Sequence, residues 1–254
     1  MDTLKVLLSI CFLHIQLICW GQQYDVHDRI DSLKSRLEIE HDSVQYGLIC
    51  TEIGYEYFDN DNGAALEYLT EAFKILSNHS SDSLQLVRAG RLKGQILRRL
   101  GRLIEAEKVF LQVLSTAHSQ HLYNEETKIL NGLGVLYTFS TQYDKALDVN
   151  FKSLLLKKKF NDPYQIATTE INIALVYYKL KRYQTAIEYS LIAIKRFNTI
   201  DQKDQLIANE LSVAYSNMAL SYLFLEKPND YQKAYEYLKL SEKYCNNECS
   251  PTYI

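Results

Sequence analysis

Asn131–Phe160, NGLGVLYTFSTQYDKALDVNFKSLLLKKKF, reads as two short helices packed back to back. Leu133, Gly134 and Tyr137 share one face of the first. Tyr143 falls in the turn, and Ala146, Val149 and Ser153 lie on the facing side of the second. Gly134 and Ala146 are small enough to let two backbones approach, and the larger residues fill the space that remains. The same pattern returns along the chain in both directions.

The small residue of each first helix falls at Gly54, Gly94, Gly134, Ala174 and Ala219, in steps of 40, 40, 40 and 45. The small residue of each second helix falls at Ala65, Ala106, Ala146, Ala186 and Ala234, in steps of 41, 40, 40 and 48. Tyr57, Leu97, Tyr137, Tyr177 and Tyr222 stand three after the first ladder. Leu103, Tyr143, Tyr183 and Tyr231 stand three before the second in the last four pairs. Two ladders held in phase predict five helix hairpins, about 43–80, 84–120, 124–160, 163–200 and 204–245. One hairpin cannot hide its apolar face alone, so neighbours must stack into a shared core.

These residues resemble the tetratricopeptide repeat family. IGYEY with AALEYLTEAF carries the first pair, and GQIL with LGRLIEAEKVF the second. LGVLY with YDKAL and IALVY with YQTAIEYSLIAI carry the third and fourth, and MALSY with YQKAYEYLKLS the fifth. The resemblance implies an all-α fold: an α-solenoid of five helix-turn-helix repeats wound as a right-handed superhelix, with the first helices lining the concave side. The period departs from the family's usual 34 residues, being near 40, so helices or turns must be longer. The family's early tryptophan is missing from every repeat, and an insertion around Glu226–Asn229 lengthens the fifth.

Composition agrees with a helical chain. Of 254 residues 47% are hydrophobic, with 9 glycines and 3 prolines, so breakers are scarce. The net charge of -3 gives no general electrostatic case for nucleic acid, which needs concentrated positive charge. Residues 24–40 place Val26, Ile30, Leu33 and Leu37 on one stripe and read as an N-terminal capping helix. Asp42–Ser43 follows as a helix start.

Residues 4–20, LKVLLSICFLHIQLICW, form an apolar run. Cys19 and Gly21 are small residues placed to suit a signal peptidase, so residues 1–21 read as a signal peptide cleaved after Gly21. An uncleaved N-terminal anchor is the alternative. The expected location is periplasmic or extracellular, with no membrane span in the mature chain. Cys50 then sits inside an amphipathic helix as a buried thiol. Cys245 and Cys249, four apart in the C-terminal segment, could close a small disulfide loop in an oxidising compartment. The leader, the lead helix, the short first pair and the 40-residue period also resemble sensor regions of Bacteroidetes-type signalling proteins, histidine kinases and helix-turn-helix regulators among them. Residues 246–254, NECSPTYI preceded by Asn246, form a tail with no second apolar span. Either a free-standing secreted repeat protein or a shortened relative of such a sensor is expected from this.

No glycine-rich phosphate loop or nucleophile elbow is present. His118 and His121 lack a third ligand, and Glu52 with Glu56 reads as a solvated face, so neither catalysis nor a metal or other cofactor is expected. The informative polar cluster is Arg88, Arg91, Lys93, Arg98 and Arg99 with Gln95. The position of Gly94 puts Arg88, Arg91, Gln95 and Arg98 on the groove side, and Lys128 and Asn131 occupy comparable places in the next repeat. Guanidinium forks suit carboxylates, so an acidic segment or a free C-terminus of a protein or peptide partner is the expected ligand. The bland alternative is a solvated basic face balanced by Glu105 and Glu107. Val135, Leu175, Tyr178, Leu220 and Phe224 extend the lining with apolar surface suited to a peptide. Lys157–Lys159 reads as a helix-end run that complements the dipole. The function expected is a non-enzymatic scaffold in the cell envelope, or a sensor module whose output lies elsewhere.

Overall fold

The computed structural model describes residues 26–79, 82–200, 205–225 and 229–245. The leader, residues 1–21, and Cys249 lie outside the described residues. The helices are α1 (26–39), α2 (Ser43–Glu56), α3 (Asn62–Asn78), α4 (Ser83–Arg99), α5 (Leu103–Ser119), α6 (Tyr123–Phe139), α7 (Tyr143–Phe160), α8 (Pro163–Lys179), α9 (Tyr183–Phe197), α10 (Gln205–Leu223) and α11 (Asp230–Tyr244). They gather into two compact units, Met1–Thr116 and Ala117–Ile254.

The 40-residue period has a local cause. Positive φ recurs at Gly101, His121, Thr141, Asn161 and Lys181, twenty residues apart each time. Four of these residues sit in the same tight stop. Arg102 donates its N–H to the Leu97 carbonyl, Leu122 to Ala117, Gln142 to Tyr137 and Arg182 to Tyr177, at 2.8–2.9 Å. That six-to-one bond satisfies carbonyls left open at a helix C-terminus and reverses the chain in three residues. α4, α5, α6 and α8 are each 17 residues long. A helix of 17 plus a turn of 3 gives 20, and two such modules give 40. The lengthening therefore sits in the helices. Helix starts are capped by carboxylates: Asp42, Asp61, Asp82 and Asp162 accept from the backbone N–H groups of α2, α3, α4 and α8.

In the first unit α1 covers the open side of α2. Ile30 is buried and Leu37 packs beside Val44 and Leu48 on a core of Cys50, Ala72, Leu76 and Ala89. Lys34 donates to the Tyr57 hydroxyl at 3.0 Å, while Arg29 pairs with Glu56 and Arg36 with Glu52. Cys50 is a buried free thiol, and burial pushes its pKa up to about 11. It is an inert core residue.

The small-residue ladders are buried throughout. A Cβ built on Gly54 would come within 2.6 Å of the Leu69 side chain and 3.4 Å of the Ala65 carbonyl. One on Gly94 would meet the Phe110 ring at 2.7 Å. In the second unit, one on Gly134 would meet Asn150 Oδ1 at 2.5 Å. The residue against each glycine is thus the one a helical turn beyond the small alanine, rather than the alanine itself.

Within the second unit α6 touches α8 and α8 touches α10 directly, and each also packs on its own second helix. The first helices therefore form a continuous inner layer there. In the first unit α2 and α4 touch in the same way.

Candidate functional site

α4 and the first helices of the second unit carry different chemistry. On α4, the buried residues Val87, Ala89, Gly90, Leu92, Gly94, Ile96 and Leu97 face neighbouring helices. Arg88, Arg91, Gln95 and Arg98 follow one another along the opposite stripe, as their spacing requires. Arg88 is exposed and the other three are half-buried. Arg91 donates to Gln95 Oε1 at 3.2 Å, which orients both along the stripe.

The rest of the basic cluster is structural. Arg99 donates to the Phe58 carbonyl at 2.6 Å and pairs with Asp59 at 2.9 Å. Its guanidinium also stacks 4.1 Å from the Phe58 ring centroid. It clips the turn between α2 and α3. Lys93 lies over the Phe73 ring, and burial lowers its pKa against the opposing pull of Glu105. Glu105 itself is held by Arg102 through two bonds of 2.7 Å, so it is engaged at the start of its own helix.

In the second unit Lys128 pairs at 3.0 Å with Glu125, which is buried. Asn131 accepts at Oδ1 from the Ser153 hydroxyl at 3.0 Å. Val135 and Leu175 are half-buried on the inner layer. Tyr178 sits in a ring cluster: its centroid is 5.9 Å from Tyr183 and 6.0 Å from Phe224, which stack on each other at 5.5 Å. Burial, reinforced by Tyr183, raises the Tyr178 pKa. Phe224 and Leu220 are exposed, as is Phe139 at the end of α6. Phe139 escaped the sequence reading, although it falls four after Val135 and so shares its stripe.

A second feature was read from the sequence only at Ser153. Asn150, Ser153 and Lys157 occupy the stripe of α7 that faces its neighbours, and all three are buried. Lys157–Lys159 close the last turn of α7, as the sequence reading has it, but they are not alike. Lys158 and Lys159 are exposed, but Lys157 lies eleven residues after Ala146 and returns to the core stripe. Its ammonium donates to Thr169 Oγ1 at 2.8 Å. Burial lowers its pKa to about 8 against the attraction of Asp162 and Glu210. Glu210 is shifted upward, by burial first and with Lys157 opposing. Asn150 Oδ1 and Nδ2 have no hydrogen-bond partner among the described residues. Close by in sequence, Arg196 holds buried Glu170 in a bidentate pair at 2.9 and 3.0 Å.

His118 Nδ1 lies 2.9 Å from Glu126, and His121 lies beside Tyr123, so each histidine has a neighbour that accounts for it. No described helix is long and apolar enough to cross a membrane.

No family model and no curated protein sequence matches the chain, whereas solved structures match its fold. BtubC (BKLC) from P. vanneervenii superposes with a TM-score of 0.71 at 16% identity, over 86% of this chain and 90% of that one. A signal transduction ATPase with a tetratricopeptide repeat sensor, from Pyrococcus horikoshii, gives 0.67 at 19% identity, over 88% of this chain and 37% of that one. The Rap conjugation gene regulator of plasmid pLS20, in complex with the Phr* peptide, gives 0.60 at 16% identity, over 88% and 70%. The fold is therefore an all-helical solenoid of the tetratricopeptide-repeat type.

Proposed function

We propose that the chain is a non-enzymatic scaffold that binds a protein or peptide on the inner faces of its first helices. The observation that carries this is the apposition of α6 with α8 and of α8 with α10, which joins single side chains into one lining. Phe139 and Leu220 are exposed on these helices, and Phe224 is exposed in the turn just after α10. Apolar side chains of a peptide bury favourably against such residues, at about 25 cal/mol per Å². On α4 the Arg91–Gln95 pair and Arg88 offer donors suited to a carboxylate. The likeness to a solenoid solved with a bound peptide supports the reading.

Export to the envelope is part of the proposal. The apolar leader with Cys19 and Gly21 supports it, and so does the disulfide-bonded state of Cys245. The alternative role as a sensor module is favoured by the likeness to a solenoid that serves as the sensor of a larger signalling protein.

Selection from a displayed peptide library on the purified chain tests the binding reading. Selected peptides should share apolar anchors and should lose at least tenfold in affinity to Leu175→Glu or Leu220→Glu. Peptides that bind both variants as tightly as the parent would refute the inner face. Charge reversal at Arg91 and Arg98 separately tests the acidic-ligand component. Fusion of residues 1–30 to a reporter active only outside the cytoplasm tests export.

A further inference from the structure

Among the described helices, α11 exposes a face whose counterpart on α9 is covered. Aligning Ala186 with Ala234 sets Tyr183, Ile187, Ser190 and Ile194 of α9 against Tyr231, Tyr235, Leu238 and Glu242 of α11. On α9, Ile187, Ser190 and Ile194 are buried, the two isoleucines in a core built with Ile207, Leu211, Ala214 and Met218 of α10. On α11 the counterparts are open. Tyr231 is 53% exposed, Tyr235 54% and Leu238 47%. The opposite side of α11 is the one engaged, with Ala234 and Ser241 buried and Tyr237 and Tyr244 stacked on Tyr215 of α10.

An apolar stripe at i, i+4 and i+7 asks for another helix. We propose that its occupant is α11 of a second copy of this chain, packed antiparallel about a two-fold axis. The stripe is self-complementary in that arrangement. A pairing centred between Glu236 and Tyr237 sets Tyr235 opposite Leu238 of the second copy. It sets the Tyr231 hydroxyl opposite the Glu242 carboxylate, which can accept from it. On one flank, exposed Glu236 stands near exposed Lys239 of the second copy. Each contact occurs twice, as a two-fold interface requires. Antiparallel helix dipoles add to the complementarity. One helix face is a small interface, so the dimer forms reversibly.

Sedimentation velocity of the full chain across a concentration series tests this. The chain should shift from monomer toward dimer as concentration rises. The pair Tyr235→Glu with Leu238→Glu should remove that shift while leaving helical circular dichroism unchanged. Lys239→Glu should weaken the dimer at least fivefold, and adding Glu236→Lys should restore it. A chain that stays monomeric throughout, or association that survives the paired glutamates, overturns the proposal. So does a charge swap that fails to rescue, since it rules out the antiparallel register.

Discussion

The two units close the same ladder with different materials. In the first, Gly54 faces Leu69 and Gly94 faces Phe110, both fully buried hydrocarbon. In the second, Gly134 faces Asn150, and the stripe continues through Ser153 to Lys157. Leu69, Ala72 and Leu76 fill the corresponding stripe of α3, and α9 carries Ser190, Ala193 and Phe197. Helix spacing is thus set by the size of the facing residues, whereas the chemistry of the stripe is free to vary. A hydrocarbon stripe stabilises through burial alone. A polar one stabilises only as far as its hydrogen bonds are satisfied.

A large effect is expected in the pH dependence of the second unit. In the unfolded chain a lysine stays protonated to about pH 10.4, but burial brings folded Lys157 to about 8. Between these values the unfolded chain binds more protons, so stability rises with pH. Urea denaturation should show a gain of about 1.5 kcal/mol from pH 8 to 9.5, the slope reaching ~1.4 kcal/mol per unit only above the folded value. Lys157→Met should flatten that rise and start from a higher stability at pH 7. A parallel rise in the variant would remove Lys157 as its source. The raised pKa values of Tyr189 and Tyr215 act in the opposite sense at still higher pH, which sets the upper end of the window.

The glycines come next. Gly94→Ala drives a Cβ into the side of a fixed, fully buried ring and should cost about 2–3 kcal/mol. Gly134→Ala meets the tip of an amide that can turn, and should cost about 1 kcal/mol. Equal costs in thermal denaturation would mean that the two closures do not differ in rigidity.

A smaller effect is expected from carrying the first unit's solution into the second. Asn150→Leu places there the residue that Gly54 already accommodates at Leu69. It removes a buried amide with no partner among the described residues, and should stabilise by about 1 kcal/mol. A loss in denaturant midpoint would show that Asn150 is satisfied in solution, for example by buried water.

The sequence discloses the ladder because size and spacing survive translation into helix geometry without knowledge of partners. Gly54, Gly94 and Gly134, with the alanines of the second ladder, are buried as that reasoning requires. The polar stripe of α4 is legible for the same reason. Pairing is not. Nothing in the spacing distinguishes Arg99, which clips a turn, from Arg91, which bonds Gln95 along its own helix. Lys128 reads as an available cation until Glu125 is found buried beside it. Lys157 is hidden among three lysines, and only its phase relative to Ala146 separates it from Lys158 and Lys159. The source of the long period is likewise local: a left-handed residue every twenty positions is visible only once φ is known, because Thr141 and Lys181 are not residues that announce it.

The inner-face account is tested most directly by site-specific photo-crosslinking in the protein's native setting. A photoreactive residue at Leu175 or Leu220, on the inner layer, should capture the same partner. One at Leu155, exposed on α7, should not. Capture from Leu155 as efficient as from Leu175 would contradict the claim that the first helices carry recognition.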